Sequence, residues 1–413
     1  MWLAGAGLSL IAVCYGLARF AYGLFLPVLR EEFGLSGSTA GAIAASSYAS
    51  YCVAIVTATV LTARFGARPL AVAAGVTATV GTGSIAAAES TAVLAVGVVI
   101  AGASTGLASP PLADAVARAV DPNRRDRVQT VVNAGTGFGV MISGPIALVV
   151  GDSWRVAWWL FAAVAAAVTV WTAQTVPGRS SPAGKVRSST GRPSPLLPAG
   201  AVRLLTAATL MGLASAAVWT FGKDVATSNG GLSSQASTVL WIVLGAAGLF
   251  AALTGDVIAR SGLALAWAVA MAVLAGATAG FVLAQDSPPV LFTAAAIFGA
   301  VYIALTGGLL LWGTLLYPTS PAFGVGAAFL MISAGQAVGS PLIGALTDLA
   351  TSRTAFLTAA ATALAGAALA PRPSSHRTAT TPATHRNPPG ETGLGRLRRT
   401  TRRSAHGSDY RRS

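Results

Sequence analysis

Hydrophobic positions come in long runs, separated by short segments that collect charges, prolines and turn residues. A bilayer core takes roughly 20 consecutive apolar residues as a helix. By that measure the sequence predicts twelve spans, approximately 2–29, 39–61, 69–88, 91–116, 128–150, 154–176, 198–222, 237–259, 263–283, 289–316, 323–346 and 354–370. Backbone groups in lipid must bond within their own segment, so the spans are expected as helices. The ten-residue alternation of an outer-membrane barrel is missing. The first run lacks a basic leader and exceeds a signal peptide's apolar core, so it reads as a retained helix.

Composition strengthens this picture. The 413 residues are 54% hydrophobic and only 10% charged, with a mean hydropathy of +0.67, against about 25% charge in a soluble chain. The net charge of +14 is unevenly spread: +6 lies on residues 1–370 and +8 on residues 371–413, where ten basic residues face two acidic ones. A nucleic-acid partner is therefore not expected. Cys14 and Cys52 sit in apolar runs, and His376, His385 and His406 all lie in the tail. No metal site, cofactor or catalytic triad is expected, and the chain is read as a non-enzyme. No phosphate-cradling Gly-x-x-x-x-Gly-Lys-Ser/Thr loop occurs, so ATP is not the direct energy source.

Basic residues set the expected orientation. With a cytoplasmic N-terminus, twelve Lys/Arg fall in inner loops, among them Arg64, Arg68, Arg118, Arg203 and Arg260. Arg30, Arg155, Lys223 and Arg353 fall outside, and Arg19 lies within the first span. Both ends are then cytoplasmic, in a multi-pass protein of the plasma membrane. Residues 177–198, with five prolines, read as a linker. Residues 371–413 read as a disordered basic tail, available to anionic lipid at roughly 1 kcal/mol per nearby charge.

The linker separates six spans (residues 1–176) from six more (residues 199–370). A shift of 196 residues places Arg64 on Arg260, Gly66 on Gly262, Pro122 on Pro318, Pro145 on Pro341 and Asp152 on Asp348. Coincidence in these scarce residue types points to an internal duplication. After the second span, Ala63-Arg64-Phe65-Gly66-Ala67-Arg68 is similar to the Gly-x-x-x-Asp-Arg-x-Gly-Arg signature of the major facilitator superfamily. Gly255-x-x-x-Ala259-Arg260-x-Gly262 is its second-half counterpart, and Gly139 through Gly144-Pro145 resembles a Gly-Pro segment of family exporters. Residues 18–27, ARFAYGLFLP, are similar to bacterial members. The signature's Asp is Ala63 here, its leading Gly is Thr59, and the fourth span lacks the Arg of drug–proton antiporters.

The resemblance implies an all-α membrane protein of twelve transmembrane helices, arranged as two pseudo-symmetric six-helix bundles. It further implies a monomeric secondary transporter that moves a small molecule by alternating access, with helices one, four, seven and ten around a central cavity. Ion coupling is expected, and the proline of the fifth span tilts the direction toward export; the alternatives are an importer of a small organic anion bound by Arg19, or a sensor that does not transport.

Arg19 is the sharpest single feature. A central arginine costs about 2.5–3.5 kcal/mol on insertion scales, so it is expected to face protein or water. Tyr15, Arg19 and Tyr22 share one helical face, which makes Arg19 an anion-binding or gating candidate; the bland alternative is a guanidinium capping helix carbonyls near Pro110 or Pro145. Asn133, Trp219, Tyr302 and Gln336 complete the candidate substrate contacts, each against the alternative of an ordinary interhelical contact. Asp114 with Arg118, and Asp256 with Arg260, are i, i+4 pairs that join Arg64 and Arg68 as gating or coupling candidates. Lys223, Asp224, Arg30 and Asp348 are expected on the outer rim.

Overall fold

Several helices in this chain begin at side-chain caps, and some stop at glycines. Ser36 accepts from the Thr39 amide at 3.1 Å and Thr351 from the Thr354 amide at 3.1 Å. Gly34 ends the first helix at φ 62°, a left-handed turn that suits a residue without Cβ. The computed structural model describes residues 2–151, 153–178, 195–283 and 287–372, without the side chains of residues 126 and 251–256. The linker residues 179–194, Asp152 and the tail from residue 373 lie outside the described residues.

The first half runs α1 (Trp2–Phe33), α2 (Gly37–Phe65), α3 (Ala67–Ala86), α4 (Thr91–Ala119), α5 (Arg125–Val150) and α6 (Trp154–Thr175). The second half runs α7 (Ala201–Ser228), α8 (Ser234–Ala247), α9 (Thr254–Ser261), α10 (Leu263–Leu283), α11 (Pro288–Leu316), α12 (Pro321–Leu349) and α13 (Ser352–Ala367). Among the described residues, ten helices are long and apolar enough to cross a membrane.

The other two expected spans are represented by shorter helices. The eighth is broken: α8 passes into a 3-10 stretch, Gly248–Leu253, before α9. Gly245 and Gly248 weaken the helix here, and both are pressed against neighbouring helices, Gly245 on Met141 and Gly248 on Ile303. The twelfth is α13, only 16 residues long.

Within the first half, α3 packs on α4 and α6, α2 on α4, and α1 on α5 and α6; within the second, α7 packs on α12 and α13, and α11 on α8 and α10. The halves meet through α2 with α12, α5 with α8, and α1 with α7. Small residues allow that approach. A Cβ at Gly41 would collide with the Ser340 carbonyl, one at Gly37 with Gly344, and one at Gly23 with the Trp219 carbonyl.

One stretch of α1, Ala12–Phe20, is π-helical. It lies where Gly16 meets the backbone of Gly139 on α5 and Gly139 in turn meets the Ala12 carbonyl. Wide turns of this kind are rare and gather at functional sites. Arg19 lies inside it.

Candidate functional site

Arg19 is 7% exposed, buried where the two halves meet. Its Nη2 donates to Ser333 Oγ at 3.2 Å and to Gln336 Oε1 at 2.9 Å, both on α12. Gln336, 1% exposed, is held in turn: its Nε2 donates to Tyr302 Oη and to Ser215 Oγ, each at 3.3 Å. The guanidinium carbon sits 4.6 Å from the ring centroids of both Tyr48 and Tyr51 on α2, 5.4 Å from Phe20 and 6.0 Å from Tyr15. Such contacts are worth about 0.5–2 kcal/mol each, more when water is excluded.

The hydrogen-bond partners and rings around the cation are neutral. Among the described residues no carboxylate lies within ion-pair distance of Arg19, and its Nε is buried without an acceptor. A buried charge left unpaired is costly; here two hydrogen bonds and the surrounding ring faces are what offsets that cost. Two further buried donors lack acceptors nearby, Ser47 Oγ and Trp219 Nε1. Both residues line a cleft with Arg19, Tyr22, Gly23, Ala44, Tyr48 and Thr220. Its free volume is about 10 Å³, on the order of one water molecule.

The structure thus gathers Arg19, Tyr15, Tyr22, Trp219, Tyr302 and Gln336. Trp219 stacks on Phe20 at 4.1 Å and meets Tyr302 edge-on at 5.2 Å. The Tyr15 hydroxyl lies 3.0 Å from Ser109 Oγ, and Tyr22 donates to the Ala40 carbonyl at 3.0 Å. Arg19 caps no carbonyl near Pro110 or Pro145. Asn133 is apart: it is exposed on α5 and accepts from Gln129 at 3.1 Å. Sequence reasoning missed Tyr48 and Tyr51, although their i, i+3 spacing in α2 places them on one face.

The charges at the two ends of the bundle differ. At the Arg30 end, Arg30 Nη1 meets Asp224 Oδ2 at 2.5 Å, joining α1 to α7. Asp348 of α12 accepts from the Gly37 and Ser38 amides at 2.8 and 2.7 Å and from Ser38 Oγ at 2.6 Å, so it caps the N-terminus of α2 across the halves. Lys223, 7% exposed, donates to Thr238 Oγ1 at 2.9 Å. These residues, expected on a solvated rim, are in part buried at the junction of the halves. Glu32 pairs with Arg155 at 2.5 Å inside the first half and accepts from Trp154.

At the Arg64 end, Arg118 pairs with Asp114 of its own helix at 2.9 Å, and Arg68 donates to the Val176 carbonyl at 2.6 Å. Arg64 lies over the ring of Phe65 at 5.5 Å, and Arg260 is exposed. The Asp256 side chain lies outside the described residues. The polar contacts described at this end stay within one half.

Several solved transporters share this fold. A mutant of the nucleoside transporter NupG superposes with a TM-score of 0.73 at 12% identity, covering 89% of this chain and 98% of its own. A bacterial homologue of the human lysosomal transporter Spinster, inward-facing and occupied, gives 0.68 at 14%, over 88% of this chain and 94% of its own. The human organic anion transporter MFSD10 (TETRAN) gives 0.63 at 17%, over 89% and 99%. At such identities the likeness speaks for the fold alone. No curated protein matches the sequence closely enough to count as a relative. The family model described as Major Facilitator Superfamily matches residues 8–325.

Proposed function

The chain belongs to the major facilitator superfamily, and we propose that this membrane transporter carries a small organic anion by alternating access, with Arg19 as the group that binds it. The observation that carries this reading is a buried guanidinium with neutral partners and an unused Nε. The arginine also ties α1 to α12, so an anion that takes over the guanidinium releases Ser333 and Gln336 and loosens one contact between the halves. Ligand binding is thereby coupled to movement of the halves.

The gating reading follows from the two ends. With the orientation set by the basic loops, the Arg30 end is outer and the conformation is inward-facing. The Arg30–Asp224 pair and the Asp348 cap hold the outer side closed. Arg64, Arg68, Arg118, Asp114 and Arg260 border the inner opening, where a change of partners would form contacts between the halves in the opposite, outward-facing state; Asp256 is assigned to the same group from its place in the sequence. The twelve-span, two-bundle arrangement is part of this proposal: α8 with α9 and α13 serve as the two shorter spans.

Counterflow in proteoliposomes tests the reading, using labelled lactate, benzoate and succinate as probes with wild type, Arg19→Gln and Arg19→Lys. Wild type is expected to exchange at least one of them. Arg19→Gln should be slower by about tenfold or more, from loss of a charged hydrogen bond, with melting temperature little changed; Arg19→Lys should keep part of the rate. Exchange by Arg19→Gln at the wild-type rate refutes the assignment.

A further inference from the structure

The lining of the Arg19 chamber specifies more than a negative charge. Among the described residues the cleft between α1, α2 and α7 contains one cation, Arg19, and no acid. A single charge is therefore what a ligand must bring; a phosphate monoester, carrying about −1.5 to −2 near pH 7, leaves charge uncompensated in an apolar setting. Among the residues that line the cleft, three carry a buried donor without an acceptor: Arg19 Nε, Ser47 Oγ and Trp219 Nε1. A carboxylate is acceptor-only, with two oxygens and about four lone-pair sites, and so suits a cleft lined by several donors.

Tyr22, Tyr48 and Trp219 line the cleft beside Gly23, Ala44 and Thr220, and further rings contact Trp219 or the guanidinium. Phe20 and Trp219 stack at 4.1 Å, Trp219 meets Phe298 and Tyr302 edge-on at 5.8 and 5.2 Å, and Tyr48 and Tyr51 flank the guanidinium. Ring faces and edges reward a flat π-system beyond the area that it buries. We infer that the transported anion is an aromatic monocarboxylate, with its carboxylate at Arg19 Nε and Ser47 Oγ and its ring among Phe20, Trp219 and Tyr302. This rests on the anion reading above and narrows it. With about 10 Å³ free in the cleft, the ring enters only as Arg19 leaves Ser333 and Gln336.

The test is calorimetric titration of the purified full-length protein with four probes of similar size: benzoate, cyclohexanecarboxylate, benzyl alcohol and phenyl phosphate. Benzoate is expected to bind most tightly. Cyclohexanecarboxylate should be weaker by roughly twofold to tenfold, the range of aromatic pair energies. Phenyl phosphate should be weaker still, and benzyl alcohol should show no saturable binding. Trp219→Leu should bring benzoate to the level of cyclohexanecarboxylate; if it does not fold, the wild-type series decides alone. Equal affinity for the two carboxylates overturns the aromatic inference and leaves the anion reading standing. Tightest binding of phenyl phosphate overturns the single charge. Benzyl alcohol binding as well as benzoate overturns the anion reading itself, and no binding by any probe overturns the inference.

Discussion

At the Arg30 end, charge reaches across the molecule: Arg30 of α1 holds Asp224 of α7, and Asp348 of α12 holds the first amides of α2. At the Arg64 end, Arg118 holds Asp114 four residues away, and Arg68 holds a carbonyl of its own half. Glycines follow the same division. Gly37 and Gly41 press against α12 near the Arg30 end, whereas Gly326, at the other end of α12, has open space around it. On α5, Gly137 and Gly144 approach α8, yet Asn133, on the same face one turn toward the Arg64 end, is exposed. Similar residue types therefore do different work. Where the halves touch, charges and glycines bridge them; at the Arg64 end the described charges bind within one half.

Four substitutions bear on this contrast. The largest effect is expected from Gly41→Leu, which drives a side chain into the Ser340 carbonyl. Overpacking of this kind costs about 1–3 kcal/mol. It should open the Arg30 end, raising the labelling rate of a cysteine placed at Thr220 several-fold, while Gly326→Leu leaves that rate unchanged. Next comes Asp224→Ala. The Arg30–Asp224 pair is partly exposed, with side chains 28% and 11% accessible, so the 3–5 kcal/mol of a fully buried pair shrinks to about 1–2. Labelling at Thr220 should rise again, and the reversed pair, Arg30→Asp with Asp224→Arg, should restore the seal.

Asp348→Ala should cost about 1 kcal/mol, typical of a lost cap, read as a lower melting temperature. Asp348→Asn should recover most of it. The smallest effect belongs to Asp114→Ala. Its pair with Arg118 is an exposed i, i+4 contact, worth about 0.3–0.5 kcal/mol, so melting and Thr220 labelling should hardly move. A large effect there, equal to that of Asp224→Ala, would erase the distinction between the ends.

Much of the site was legible in the sequence because its key residue violates the rules of its surroundings. Arg19 stands out in an apolar span, and Gln336 and Tyr302 stand out on the faces of theirs. The Tyr48–Tyr51 pair was equally visible, but aromatic residues are common in spans, and nothing local says that they face a cation. Arg30 and Asp224 are 194 positions apart; their pairing depends on how two halves meet, which helix periodicity does not encode. The same holds for Asp348, whose partners are backbone amides and leave no sequence signal. The eighth span read as continuous because hydropathy is blind to the glycines that turn it into a 3-10 stretch. The break comes from close approach of neighbouring helices, a property of packing.

The central claim is that the two ends open in opposition about Arg19. Paired spin labels measure this directly, one pair at Glu31 and Asn229, the other at Ala63 and Ala322, in a Cys14→Ala, Cys52→Ala background in lipid nanodiscs. Introducing Gly41→Leu should lengthen the 31–229 distance and shorten the 63–322 distance in the same sample. If both distances stay fixed, or both change in the same direction, the halves do not rock about the buried arginine and the account is wrong.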